Sequence, residues 1–336
     1  MKRIITLLVL ALAIIGCKQD SKTSEISEIN TKLSGPVFGT SFSVIYNSET
    51  NFMTQFDSLF AVVNKSMSTY IPDSDISKIN RNESDEIDEH FKKVMFRSQD
   101  IYARTRGAFD PTIGAVVNAW SFGPEGEIVG LDSLKIKELM SGVGLNKVTL
   151  VVDSEGSKIE KPDNTYIDFN AIAKGYGVDV IADYLETQNI ENYLVEIGGE
   201  IRAKGINIEK KAPWRVGLDE PRFDGGQSVY KAITLADVGM ATSGTYRKFK
   251  VDELGKRYTH IINTETGYPS KSNILSVSVI AEDCMTADAY ATAFQAMGIE
   301  SVKEFLNSNP ELKVFIIFAN DNNELETLNL NNFPES

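Results

Sequence analysis

The sequence predicts an α+β fold. Three observations point that way. Strand-like stretches follow one another in antiparallel-looking runs, and only a few helices fall between them. No internal repeat and no later linker rich in Pro or Gly divides the chain. With 336 residues, 42% of them hydrophobic, there is ample material for one large core.

The elements can be justified in order. Residues 1–16 begin with Lys2 and Arg3 and continue as an apolar run that is too short to span a bilayer. That is the form of a signal peptide, and Ile14-Ile15-Gly16-Cys17 has the small residue before cysteine of a bacterial lipobox. Cys17 is therefore expected to carry lipid, although an ordinary signal peptide with an incidental cysteine has the same shape. Residues 17–33 are polar and read as a flexible tether. Residues 34–336 are read as one domain.

Within it, "TSFSVIY" alternates like a strand. "TQFDSLFAVVNKSMSTY" has helical periodicity, as does "EHFKKVMFRSQDIYARTRG", which Gly107 stops. "KVTLVVD" and "TYIDF" look like strands. "NAIAKGYGVDVIADYLETQ" reads as a helix with Asn170 as N-cap. "NYLVEIGGEIRAKG" reads as strand, Gly-Gly bend, strand. "WRVGLDEP", "KAITLAD", "RYTHIIN", "ILSVSVIA" and "KVFIIFA" are further strands, and a helix from Thr286 to Met297 lies between the last two.

The formal net charge of −13 excludes non-specific nucleic-acid binding. Beyond Cys17 the only cysteine is Cys284, so no internal disulfide can form and the core must suffice. There is no G-x-G-x-x-G, Walker A, H-E-x-x-H or G-x-S-x-G. The only histidines are His90, in the charged stretch "DEIDEHF" where it should be solvated, and His260.

Asp288 and Thr292 stand four residues apart, on one face of a helix. Two hard oxygens at that spacing suit Mg²⁺, which fills its octahedron with water and substrate phosphate. A helix packed through its alanines would look the same. In "YIDFNAIAKGYG" a strand ends and a helix begins, so free N–H groups there can hold phosphate, with Lys174 adding charge and Asp168 at the strand end. A structural corner remains open there. Phe109, Trp120 and Phe122 in "RGAFDPTIGAVVNAWSFG" could wall a flat-ligand pocket or belong to the core. Tyr70, before a Pro turn in "MSTYIPDSDISKIN", could stack on a ring or be buried. His260, leading into the Gly267–Pro269 turn, fits a general base or a structural histidine.

Taken together, "MSTYIPDSDISKIN", "GAFDPTIGAVVNAWSFG", "DFNAIAKGYGVD", "NYLVEIGGEIRAKG", "SGTYRKF", "RYTHIINTETGYP" and "DCMTADAYATAF" resemble the ApbE family of FAD:protein FMN transferases. They fall in the family's order over residues 34–298. The resemblance implies a T-fold-like α+β domain of mostly antiparallel sheets that takes FAD as substrate and binds Mg²⁺. It implies release of AMP and transfer of FMN to a threonine of a partner protein, such as a respiratory flavoprotein subunit of the NqrC or RnfG type. It implies metal ligation by the Ala171 carbonyl and the Asp288 and Thr292 side chains. Flavin or adenine contacts carry over to Tyr70, Ala108, Phe109, Asp110, Asp168 and Lys174, and acceptor activation to His260. Phe38 and Ile262 line the same site, although Phe38 departs from a family that often has Met before the Gly39-Thr40 pair. The expected setting is a lipoprotein facing the periplasm from the inner or the outer membrane. Two alternatives stand beside this reading: an FAD pyrophosphatase giving FMN and AMP, and a non-catalytic FAD-binding lipoprotein.

Overall fold

The computed structural model describes residues 29–335 other than 127, 129, 155, 223, 225, 247, 248 and 252–256. The signal peptide, Cys17 and most of the tether lie outside the described residues. Among those described, no helix is long and apolar enough to cross a membrane.

The chain opens with β1 (Thr31–Val37) and β2 (Thr40–Tyr46), followed by α1 (Met53–Met67), α2 (Asp75–Asn80), α3 (Glu89–Arg104), α4 (Gly114–Ala119) and α5 (Ser133–Met140). A small hairpin, β3 (Thr149–Asp153) and β4 (Gly156–Glu160), leads to α6 (Ala173–Thr187). Then come β5 (Tyr193–Ile197), β6 (Glu200–Lys204), β7 (Ile206–Asn207), β8 (Ala212–Asp219), β9 (Val229–Leu235), β10 (Val238–Gly244), β11 (Phe249–Val251) and β12 (Arg257–Thr259). The chain finishes with β13 (Ile274–Ala281), α7 (Cys284–Met297), α8 (Ile299–Leu306), β14 (Lys313–Ala319) and β15 (Leu325–Leu330).

Eight strands form one sheet in the order β1-β2-β5-β6-β10-β13-β14-β15, and every neighbouring pair is antiparallel. Alternation sorts its side chains to two faces. Val277, Val279, Val314 and Ile316 point to the helices, where they pack with Ala287, Ala291 and Phe294 of α7. Val195 and Ile197 meet Val178, Ile181 and Leu185 of α6 on the same side. Met240, Ile280, Phe315 and Ile317 point the other way, against Trp214, Val216, Ile233 and Leu235 of the β8–β9 hairpin. The sheet is therefore covered on both sides.

Four local readings differ from the sequence expectation. The domain begins before residue 34: Thr31–Leu33 pair with Val44–Tyr46, and Asn30 Nδ2 donates to Asn207 Oδ1 at 3.1 Å. Their polarity belongs to an edge strand exposed on alternate residues, not to a tether. "TYIDF" is not a paired strand and makes a single bridge, Ile113 to Tyr166. Asn170 is not the N-cap of α6. Ile172 holds that position without a side-chain bond, and Asn170 N–H donates to Asp168 Oδ1 at 2.8 Å. His90 is half-buried, its Nδ1 2.7 Å from the Tyr176 hydroxyl, and it lines a surface groove with Phe96, Arg97 and Met285.

Candidate functional site

Helices α6 and α7 are joined start to start. The first N–H groups of a helix have no carbonyl partner within it. In α7, Asp283 Oδ1 takes the Thr286 N–H at 2.7 Å. The Cys284 and Met285 N–H groups go to Asp179 Oδ1 and Oδ2 of α6, at 3.0 and 2.8 Å. The exchange is reciprocal: Asp288 Oδ2 of α7 accepts the Gly175 N–H of α6 at 3.0 Å. Arg202 of β6 braces the pair by donating to Asp179 Oδ1 at 3.1 Å and Asp183 Oδ1 at 2.9 Å. Burial, then the Asp283 charge, push the Asp179 carboxyl up to about 7 against the pull of these donors.

Only glycine allows this approach. A Cβ at Gly175 would lie 2.4 Å from the Cys284 carbonyl oxygen and 2.8 Å from Asp288 Cβ. Gly175→Ala is expected to destabilise the protein by about 1–3 kcal/mol, the usual cost of overpacking, and to displace Asp288. Urea unfolding reads the first effect; an unchanged midpoint would mean the helices have slack between them.

Three oxygens belong to the two locked helices and the residues just before α6. The Gly175 N–H, which in a helix continued backwards would bond to the Ala171 carbonyl, goes to Asp288 instead. Asp288 is buried, and burial pushes its carboxyl up in spite of Lys174 and the Gly175 N–H. Thr292 lies one turn further along α7, and its hydroxyl is 3.1 Å from Ser243 Oγ of β10. Among the described residues no group of three or more His, Cys, Asp or Glu side chains gathers as a metal cluster. A cation here would instead take one carboxylate, one hydroxyl and one carbonyl, with water and phosphate completing its shell. That oxygen-only set fits Mg²⁺.

Lys174 stands beside this set. Its ammonium is paired with the Glu200 carboxylate at the start of β6. Burial alone would lower its pKa, but the Glu200 and Asp288 charges outweigh burial and hold the ammonium above the ordinary lysine range. Burial pushes Glu200 up. Gly198 and Gly199, with φ of +62° and +103°, make the bend that returns the chain to Glu200.

The remaining residues form a second group around the corner at Asp168, three residues before Ala171. Asp168 N–H donates to the Pro111 carbonyl at 2.8 Å, joining the corner to the Ala108–Asp110 loop. Asp110 is buried and accepts from the Thr112 N–H at 2.9 Å and its hydroxyl at 2.6 Å. Burial raises its pKa. Ala108 is half-buried, and the Phe109 ring packs in the main core, leaving its backbone as the part facing the loop. Tyr70 is 58% exposed, and partial desolvation followed by the Asp168 charge raises its phenol. Thr264 Oγ1 donates to the Gly107 carbonyl at 2.6 Å, tying the His260 loop to the same loop.

His260 is half-buried, its ring edge-on to Phe122 at 6.1 Å. The Phe109 ring packs in the main core, whereas Trp120 and Phe122 pack elsewhere. They cluster with Tyr258, 5.7 and 5.8 Å away, and Trp120 Nε1 donates to the Gly267 carbonyl at 2.9 Å. Ile262 is buried with Val116 and Val143. Phe38 sits in the β1–β2 turn at φ +47°, its ring against Gly177 of α6 and 5.5 Å from Phe60.

Sequence reasoning missed Glu200, Ser243 and Asp179. Glu200 reads as an ordinary strand residue after a bend. Ser243 lies on a strand without alternation, and Asp179 reads as a polar residue on a helix.

The ApbE family model matches residues 38–316, and the chain belongs to that family. Its relatives are specific. It is 36% identical over 326 residues to the "FAD:protein FMN transferase" of Haemophilus influenzae, covering 93% of this chain and 91% of that one. It superposes on the flavin transferase ApbE from Vibrio cholerae with a TM-score of 0.78 at 34% identity, over 90% of this chain and 97% of that one. The apo flavinyl transferase ApbE of Pseudomonas stutzeri also gives a TM-score of 0.78, at 27% identity, over 90% and 94%.

Proposed function

We propose that this chain is an FAD:protein FMN transferase that moves FMN from FAD to a threonine hydroxyl of a partner protein and releases AMP, with Mg²⁺ as its metal. The observation that carries the reading is the α6–α7 lock, in which Asp288 of α7 accepts the Gly175 N–H next to Lys174 at the start of α6. The likeness to FAD:protein FMN transferases over nearly the whole chain supports the activity.

The Ala171 carbonyl, Asp288 and Thr292 would hold the cation, which when bound supplies Lewis-acid neutralisation of pyrophosphate charge. Lys174 binds and orients the phosphates. The Asp168–Asp110 corner and Tyr70 position the ring systems. The acceptor threonine oxygen attacks the phosphorus of the FMN half, and its proton passes to a ring nitrogen of His260. A new P–O bond forms, the bond from that phosphorus to the bridging oxygen breaks, and AMP leaves with that oxygen. Acceptors are exported proteins with an exposed threonine, respiratory flavoprotein subunits among them.

The test is incubation with FAD, Mg²⁺ and an acceptor, followed by in-gel flavin fluorescence after denaturation and measurement of free AMP. Covalent flavin together with AMP is the expected result. AMP released equally fast without acceptor, and no flavin on protein, would replace the transferase by an FAD pyrophosphatase. FAD binding with neither product would leave a flavin-binding protein.

The chain is further proposed to be held at the membrane by lipid on Cys17, facing the periplasm, on the strength of Ile14-Ile15-Gly16-Cys17. Cys17→Ala is expected to lose the detergent-phase partitioning of the native protein, since each buried CH₂ contributes about 0.8 kcal/mol to anchoring. A variant that still carries acyl chains would end the lipoprotein reading.

A further inference from the structure

Three charges meet at the start of α6: Lys174 on its first turn, Asp288 bonded to the next residue's N–H, and Glu200 on β6. In the proposed reaction Asp288 must be open to a divalent cation. A lysine on the neighbouring residue is a competitor for it, because an ammonium and Mg²⁺ seek the same carboxylate. The structure shows the lysine engaged elsewhere. Lys174 Nζ pairs with Glu200 Oε1. The Glu200 side chain is only 4% exposed, and among the described residues its Oε2 has no hydrogen-bond partner. Burying a carboxylate with one oxygen unsatisfied is costly, and the Lys174 ion pair offsets that cost.

We propose that Glu200 is a positioning residue that holds the Lys174 ammonium off Asp288 and so keeps that carboxylate available to the cation. Lys174 and Glu200 cancel, which leaves one negative charge at Asp288 for the metal to meet. Once the cation is bound, the local balance becomes positive, as an anionic pyrophosphate requires. Without Glu200, Lys174 is the nearest cation to Asp288 and occupies it. The inference rests on Asp288 being a metal ligand, so its test must separate the two ideas.

The probe is Mn²⁺, followed by electron paramagnetic resonance of free metal in FAD-free protein, with thermal melts confirming the fold of each variant. Wild type should bind and Asp288→Asn should not. If the two bind alike, the metal ligand itself is misassigned. Glu200→Gln should weaken Mn²⁺ by about 10- to 100-fold, the usual effect of losing a partner behind a metal ligand. Adding Lys174→Met to Glu200→Gln should restore affinity, because the competitor is gone. Lys174→Met alone should bind Mn²⁺ at least as tightly as wild type, which keeps the test open if Glu200→Gln fails to fold. Wild-type affinity in Glu200→Gln, no recovery in the double variant, or weaker binding in Lys174→Met would overturn the proposal.

Discussion

His260→Ala is expected to lower FMN transfer by about 10²- to 10⁴-fold, the usual consequence of removing a general base. It should leave FAD and metal binding nearly unchanged. The ring touches Phe122 at the edge of the β12 loop, while Asp288 and Lys174 are set by α6, α7 and β6. The loop itself is pinned by Thr264 to Gly107, a bond that does not involve the imidazole. Flavin on the acceptor and free AMP, measured together, decide the matter. Labelling at the wild-type rate would remove His260 from the mechanism while leaving the transferase in place. Replacing the acceptor threonine with valine should abolish labelling in either protein.

Asp288→Asn should lower turnover by about 10²-fold or more, comparable to the loss of one electrostatic contact made in the transition state. Its effect is separable from misfolding. An asparagine carbonyl oxygen can still accept the Gly175 N–H, so the α6–α7 lock survives and only the charge is lost. The variant should need far more Mg²⁺ and bind FAD less tightly. Thr292→Val should act in the same direction but less strongly, since it removes a neutral ligand and the Ser243 bond. Full activity of Asp288→Asn at low Mg²⁺ would reduce the acidic face of α7 to a structural role.

What the sequence disclosed, and what it hid, follows from the range of the interactions. The spacing of Asp288 and Thr292 is a local fact, and α7 indeed forms over both, from Cys284 to Met297. The Gly-Gly bend and the strands around it are also local, and β5 and β6 form as expected. The cap of α6 was misread because its acceptor comes from 113 residues away, beyond any rule about neighbouring residues. Asn170 has a capping side chain but stands two residues before the N-cap, and its carboxylate neighbour Asp168 claims it. Strand β10, "VGMATSG", escaped notice because it is sandwiched between two cores and small on the α7 side. A strand pressed by a helix on one face and a hairpin on the other has no reason to alternate polar with apolar. Ser243 was hidden with it. For Phe109 the sequence leaves ligand wall and core both open, and its ring packs in the core.

The reciprocal bonds between α6 and α7 also set when in the life of the chain the site comes into being. The partners are 105, 106 and 113 residues apart, so no early fragment contains both halves. Closing loops of that length is the slow part of folding, and nothing local rewards it in advance. A chain threaded out of the cell from its N-terminus would present Lys174 and Glu200 long before Asp288 arrives. Until α7 docks on α6 such a chain would have no assembled carboxylate–hydroxyl pair with which to trap a stray cation or nucleotide. The carboxylate of the site takes its place only when α7 docks on α6.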